Sequence, residues 1–151
     1  MRIKIVSIIV ISIVSALLLA FSMQGVHMKG TIDPYAGGID CPIHVEVNNY
    51  TFKEIRNIFF GMELFKDNKS INLFHTGKHG SYNFDAVIKP FSSESGCFSD
   101  KYISATLGIS EDMEVLGALT SSEYRQLAEK LSGFSKNHAI YVNNINPIHF
   151  K

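Results

Sequence analysis

The feature that most constrains this chain is an apolar run over residues 5–21. No charged side chain occurs from Ile5 through His27, and most positions in the run are Ile, Val or Leu. At about 1.5 Å per residue, roughly 20 such residues in a helix reach across a bilayer core. Arg2 and Lys4 precede the run, and the positive-inside tendency keeps them cytoplasmic and sends the rest across. The sequence therefore predicts a membrane anchor over 1–24, single-pass in an inner membrane, with everything from about Gly25 onward exported. The competing reading is a cleaved signal peptide with Ala20-Phe21-Ser22 as its cleavage site. The run is longer and richer in Ile and Val than an ordinary signal core. Ser12, Ala16 and Ala20 fall four apart, lining one helix face with small residues where another membrane helix could pack.

About 120 residues then remain for the exported part, enough for one domain with one core. Lys and Arg number 14 against 14 Asp and Glu, and the basic residues are scattered. That distribution argues against direct nucleic-acid binding, which needs clustered positive charge. The two cysteines, Cys41 and Cys97, fall in the exported part, where an even count argues for one disulfide. In the chain-entropy model such a long-loop bridge contributes about 4 kcal/mol. A metal pair or a catalytic thiol is the alternative, but neither CxxC spacing nor a suitable neighbour supports one.

Residues 25–40 read as a linker, rich in Gly with one Pro. The domain, 41–151, opens on an alternating stretch at 41–47, with Ile43, Val45 and Val47 on one side and His44 and Glu46 on the other. Residues 54–65 place Ile58, Phe60, Met62 and Leu64 on one face, and Gly61 suggests a bulge. Strands at 70–75, 81–89 and 101–110 follow, separated by turns at 66–69 and 76–80 and a loop at 90–100. A helix then starts at the capping box Thr120-Ser121-Ser122-Glu123, carries Tyr124, Leu127, Ala128 and Leu131 at helical spacing, and ends at Gly133. Short strands at 139–142 and 148–150 flank a turn at 143–147. The expected fold is α+β and strand-dominated: an N-terminal transmembrane helix, then a mostly antiparallel curled sheet or small barrel with one late α-helix. A short strand set leaves an edge open to a partner's strand.

Chemistry is sparse. His75 and His79 have zinc-ligand spacing, but the two glycines of His-Thr-Gly-Lys-His-Gly oppose a helix and no third ligand is near, so no metal or cofactor is implied. Six histidines in an exported domain read first as ordinary surface residues; the alternative is pH sensing, with His44 beside Glu46, and His75 and His79 around a turn, as the candidates. No catalytic triad, phosphate loop or zinc-protease motif is legible, and the expectation is that the chain is not an enzyme. Asn49-Tyr50-Thr51 and Asn68-Lys69-Ser70 match the glycosylation pattern, which is common by chance. Phe59, Phe60, Phe65, Phe74 and Phe84 read as core, although a barrel lined by them could hold a small apolar ligand.

The architecture is that of a short basic N-terminus, one span and an exported β-rich domain. Its late helix, Ser121-Ser122-Glu123-Tyr124-Arg125-Gln126-Leu127, precedes a short strand and an Asn-rich turn from Tyr141 to Pro147. The chain thereby resembles the small membrane-anchored periplasmic companions of ToxR-like transcriptional regulators, the ToxS, TcpH, FidL-like and PsaF/MyfF proteins. The resemblance is one of layout and carries over no functional residue. It implies a non-catalytic partner that binds the periplasmic domain of a membrane-spanning activator, protects it from proteolysis and promotes its activity. It further implies fimbrial or virulence genes as the regulated targets and, in some pairs, a cavity for bile salts. The rival from another class is a secreted binding protein, such as a toxin subunit, inhibitor or immunity protein, released by signal cleavage.

Overall fold

The computed structural model describes residues 25–35, 39, 41–67, 71–74, 82–108 and 119–149. In chain order its elements are β1 (Val26–Ile32), β2 (Ile43–Asn49), β3 (Ile55–Lys66), β4 (Tyr82–Phe84), β5 (Ser92–Phe98), α1 (Lys101–Leu107), α2 (Ser121–Asn137) and β6 (His138–His149). Strict alternation makes β2 the centre of one antiparallel sheet, ordered β1-β2-β5, because Ile43, Val45, Val47 and Asn49 turn inward and are buried. The second sheet, ordered β4-β3-β6, is also antiparallel and centres on β3. There the buried set runs Ile55, Ile58, Phe60, Met62, Leu64. The odd-to-even jump after Ile55 coincides with a register shift against β6, where a bulge inserts one residue and turns the next side chain over. A second shift lies between Phe59 and Gly61, where a Cβ on Gly61 would collide with Asn143 Oδ1.

The inner faces of both sheets supply one core, joined by Ile103 and Leu107 of α1 and Leu131 and Phe134 of α2. Each fully buried aliphatic or aromatic side chain of this kind contributes roughly 1.5–3 kcal/mol. The two sheets remain separate but approach closely at two places, and a glycine makes room each time. A Cβ on Gly30 of β1 would sit 2.6 Å from Ile140 Cγ2 of β6, and one on Gly96 of β5 would sit 2.7 Å from Phe84 Cε2 of β4.

Several expectations are corrected. The curled sheet or small barrel is instead two open three-stranded sheets, and two helices rather than one are present among the described residues. Residues 101–107 are helical because Asp100 caps the first turn, accepting from the Tyr102 amide, and Gly108 at φ 73° ends the last. Ile103 and Leu107, read as alternating strand residues, are four apart and share the buried face of α1. The expected linker contains β1, and the expected loop at 90–100 contains β5. Helix α2 passes Gly133 and runs to Asn137, and the 143–147 turn is absorbed into the bulged strand β6, with Asn144 at φ 50°.

The expected transmembrane helix is also corrected: among the described residues no helix is long and apolar enough to cross a membrane. Helix α1 has 7 residues, and α2, with 17, presents Glu123, Arg125, Glu129, Lys130 and Lys136. Neither meets the length and apolarity a bilayer core requires. Residues 1–24, with Ser12, Ala16 and Ala20, lie outside the described residues.

Candidate functional site

Because β2 buries its odd-numbered residues, His44, Glu46 and Asn48 stand on the opposite face of the sheet. The register sets His44 across from Cys97, Glu46 across from Ser95 and Asn48 across from Ser93 of β5. On the other side, β1 brings Thr31 opposite His44 and Lys29 opposite Glu46. Cys97 is bonded to Cys41, as expected, across 56 residues of sequence and with Cα atoms 5.4 Å apart. The bridge thus ties the entry to β2 onto the far end of β5. Next to it a shallow, open cleft of about 300 Å³ is lined by His44, Glu46, Ser93, Glu94 and Ser95. Its lining of one imidazole, two carboxylates and two serine hydroxyls favours hydrogen bonding over enclosure of an apolar molecule. Glu46 Oε1 already accepts from Asn48 Nδ2 at 3.1 Å.

Among the described residues the outer strands β1, β5, β4 and β6 each pair on one side only, and β3 is covered where β4 ends. On β3, beyond the short β4, the Leu64 amide donates to Asn72 Oδ1 at 3.0 Å and the Leu64 carbonyl accepts from the Leu73 amide at 2.8 Å, so that edge is covered. Strand β5 has β2 on one side and no second strand among the described residues on the other. Its edge therefore offers backbone donors and acceptors next to the polar cleft.

Of the pH-sensing candidates, His44 is in this cleft, whereas His75 and His79 lie outside the described residues. Among the described residues no group of three or more His, Cys, Asp or Glu could hold a metal ion. Phe60 packs between Tyr82 and Phe98, with ring centroids 5.7 and 5.3 Å away, and Phe74 and Phe84 are buried beside it. These phenylalanines fill core space between the sheets.

Three polar residues were not anticipated. Asn49, which the sequence offered as the start of a glycosylation triplet, is a fully buried strand residue whose amide holds two loops, so that triplet is closed in the folded chain. Tyr82 donates its hydroxyl to Asp100 Oδ2 at 3.2 Å, and Asp100 is also the cap of α1. Burial first, then the Asp100 charge and this hydrogen bond, push the Tyr82 phenol up from 10.0 to about 12. The helix cap was readable as Asp100 followed by a hydrophobic pair four apart and Gly108. Nothing local signals the Tyr82 contact, because β4 is what brings it to Asp100.

No protein-family model matches the sequence, and no curated protein or solved structure matches it.

Proposed function

We propose that this chain is a non-catalytic periplasmic accessory protein that binds the periplasmic domain of a ToxR-like transcriptional activator of fimbrial or virulence genes, stabilising it and promoting its activity. The observation that carries the reading is the unpaired edge of β5, fixed by the Cys41–Cys97 bridge and bordered by the polar cleft. An open edge adds a partner's strand through main-chain hydrogen bonds, and alternate side chains supply the specificity. Beside this edge, the cleft presents His44, Glu46 and Glu94 to such a strand. The disulfide suits an oxidising compartment, in keeping with an exported domain.

The test is to place proline at two successive positions of β5, Ser93→Pro and Glu94→Pro. Successive amides point alternately toward β2 and away from it, so one variant breaks the sheet and the other only blocks the outer edge. The variant that keeps the native circular dichroism spectrum should lose the regulator in co-purification and shorten the regulator's lifetime in cells. A folded variant that still binds and protects the regulator would refute strand addition at β5. An unchanged regulator lifetime after deletion of this protein would refute the accessory role altogether.

A further inference from the structure

Asn49 is the buried polar side chain at the end of β2. Its Nδ2 donates to the carbonyls of Lys53, Ile88 and Lys89 at 2.9, 3.1 and 3.0 Å, and its Oδ1 accepts from the Thr51 amide at 3.0 Å and hydroxyl at 2.7 Å. One side chain therefore clamps two loops, the β2–β3 connection and the approach to β5. The tips of those loops carry Phe52, 73% exposed, and Phe91, 59% exposed, with ring centroids 4.9 Å apart and planes at 83°. Two exposed phenylalanines on a clamped backbone contribute little to the core. Phe91 also takes φ 53° at the second corner of a turn closed by the Ser92 amide on the Lys89 carbonyl, with Pro90 at the first corner. Glycine or asparagine is the ordinary choice there, and a bulky side chain is strained. A strained, exposed aromatic points to a role for the ring itself.

The surroundings indicate what that ring meets. Lys53 adjoins Phe52 and Lys89 precedes Phe91 by two residues, both exposed; of the acidic residues on these two segments, Glu54 is half-buried and Asp85, exposed, lies six residues from Phe91. Val87, 52% exposed, extends the apolar surface along the same loop. The Gly25 carbonyl accepts from the Tyr50 amide at 2.9 Å, and the His27 ring packs on Tyr50 at 5.3 Å. The charge-free stretch of sequence before Gly25 thus joins the domain beside these two loops.

We propose that the Phe52–Phe91 pair is a membrane-interface knob. Its rings insert at the boundary between headgroups and acyl chains of an anionic phospholipid bilayer, and Lys53 and Lys89 rest on the lipid phosphates. Apolar side chains backed by lysines bind such an interface through buried apolar area plus attraction to anionic lipid. This docking is separate from the β5 edge and stands whether or not the edge binds a regulator.

The chain contains no tryptophan, so Phe52→Trp makes the full-length protein a single-reporter protein. The control is Tyr35→Trp, 81% exposed and beyond the opposite end of β1, which experiences the same N-terminal sequence but not the knob. Both are incorporated into phosphatidylcholine–phosphatidylglycerol vesicles carrying brominated acyl chains. The F52W emission should shift to the blue and be quenched at least about threefold more than that of Y35W. Adding Lys53→Gln and Lys89→Gln should remove the dependence on phosphatidylglycerol. F91W is the second reporter should F52W alter the circular dichroism spectrum. Quenching no greater than in Y35W, or a blue shift that needs an added protein partner instead of lipid, would overturn the proposal.

Discussion

Asp100 serves two elements at once, capping α1 through the Tyr102 amide and accepting from the Tyr82 hydroxyl of β4. That double duty has a pH signature. Tyr82 keeps its proton in the folded chain up to about 12, whereas the unfolded phenol loses it near 10.0. The folded state then binds more protons across that window, so this contribution is complete below pH 10 and is lost as pH rises toward 12. Tyr82 is half-buried, which moderates the effect through solvent screening. In urea denaturation from pH 9 to 12, wild type should lose stability more steeply than Tyr82→Phe, and at pH 7 the variant should be about 1 kcal/mol weaker. Parallel pH profiles would show that neither the burial of Tyr82 nor its contact with Asp100 holds the proton on the phenol. The sequence shows that Asp100 and Tyr82 exist but not that they meet, since 18 residues separate them and only the β4 pairing brings them together. Asn49 was hidden for a related reason. Asparagine favours turns by local propensity, and only the carbonyls delivered by the 88–89 segment make a buried position tenable.

At the scale of elements, period and propensity were informative where one face is buried along a whole strand. The alternation of β2 and of β3 from Ile58 to Leu64 identified core faces correctly. It misled over 101–107, where apolar residues two apart also include a pair four apart, and the cap decided the outcome. Strand β5, Ser-Ser-Glu-Ser-Gly-Cys-Phe, carries no strand signal because its sheet position is set by β2 and the bridge. Its Gly96 was equally silent, since the need for glycine comes from the Phe84 ring of the other sheet. Gly96→Ala should cost about 1–3 kcal/mol, because the Phe84 side chain is buried and has little room to shift. Gly133→Ala provides the contrast. Gly133 is exposed inside α2 with open space around its would-be Cβ, so alanine should stabilise by about 0.5–1 kcal/mol. Denaturation midpoints of the two variants should move in opposite directions, and a neutral Gly96→Ala would mean that the sheets do not approach as closely as described.

For the whole molecule, strand dominance was legible in the sequence, whereas the division into two sheets was not, because alternation marks a buried face without naming the neighbours across it. The disulfide is where the two levels meet. It joins residues 56 apart and, in the chain-entropy model, stabilises by about 4 kcal/mol by restricting the unfolded chain. That mechanism alone would weaken every element equally. The structure gives the bridge a second, local role: β5 has an exposed run from Ser93 to Ser95, half-buried Gly96 and Phe98, and one strand partner. With so little apolar area of its own, β5 relies on the covalent tie to stay on β2. Replacing Cys41 and Cys97 together by serine should therefore lower global stability by about 2–5 kcal/mol and also change the pattern of hydrogen exchange. Amides of β5 and their β2 partners should exchange much faster than before, at conditions where the β3–β6 ladder keeps its protection. If the β5 edge docks the regulator proposed above, the same variant should lose that binding in proportion to the opening of β5. If protection falls evenly through both sheets, the bridge acts on the unfolded chain alone, and the docking edge does not depend on it.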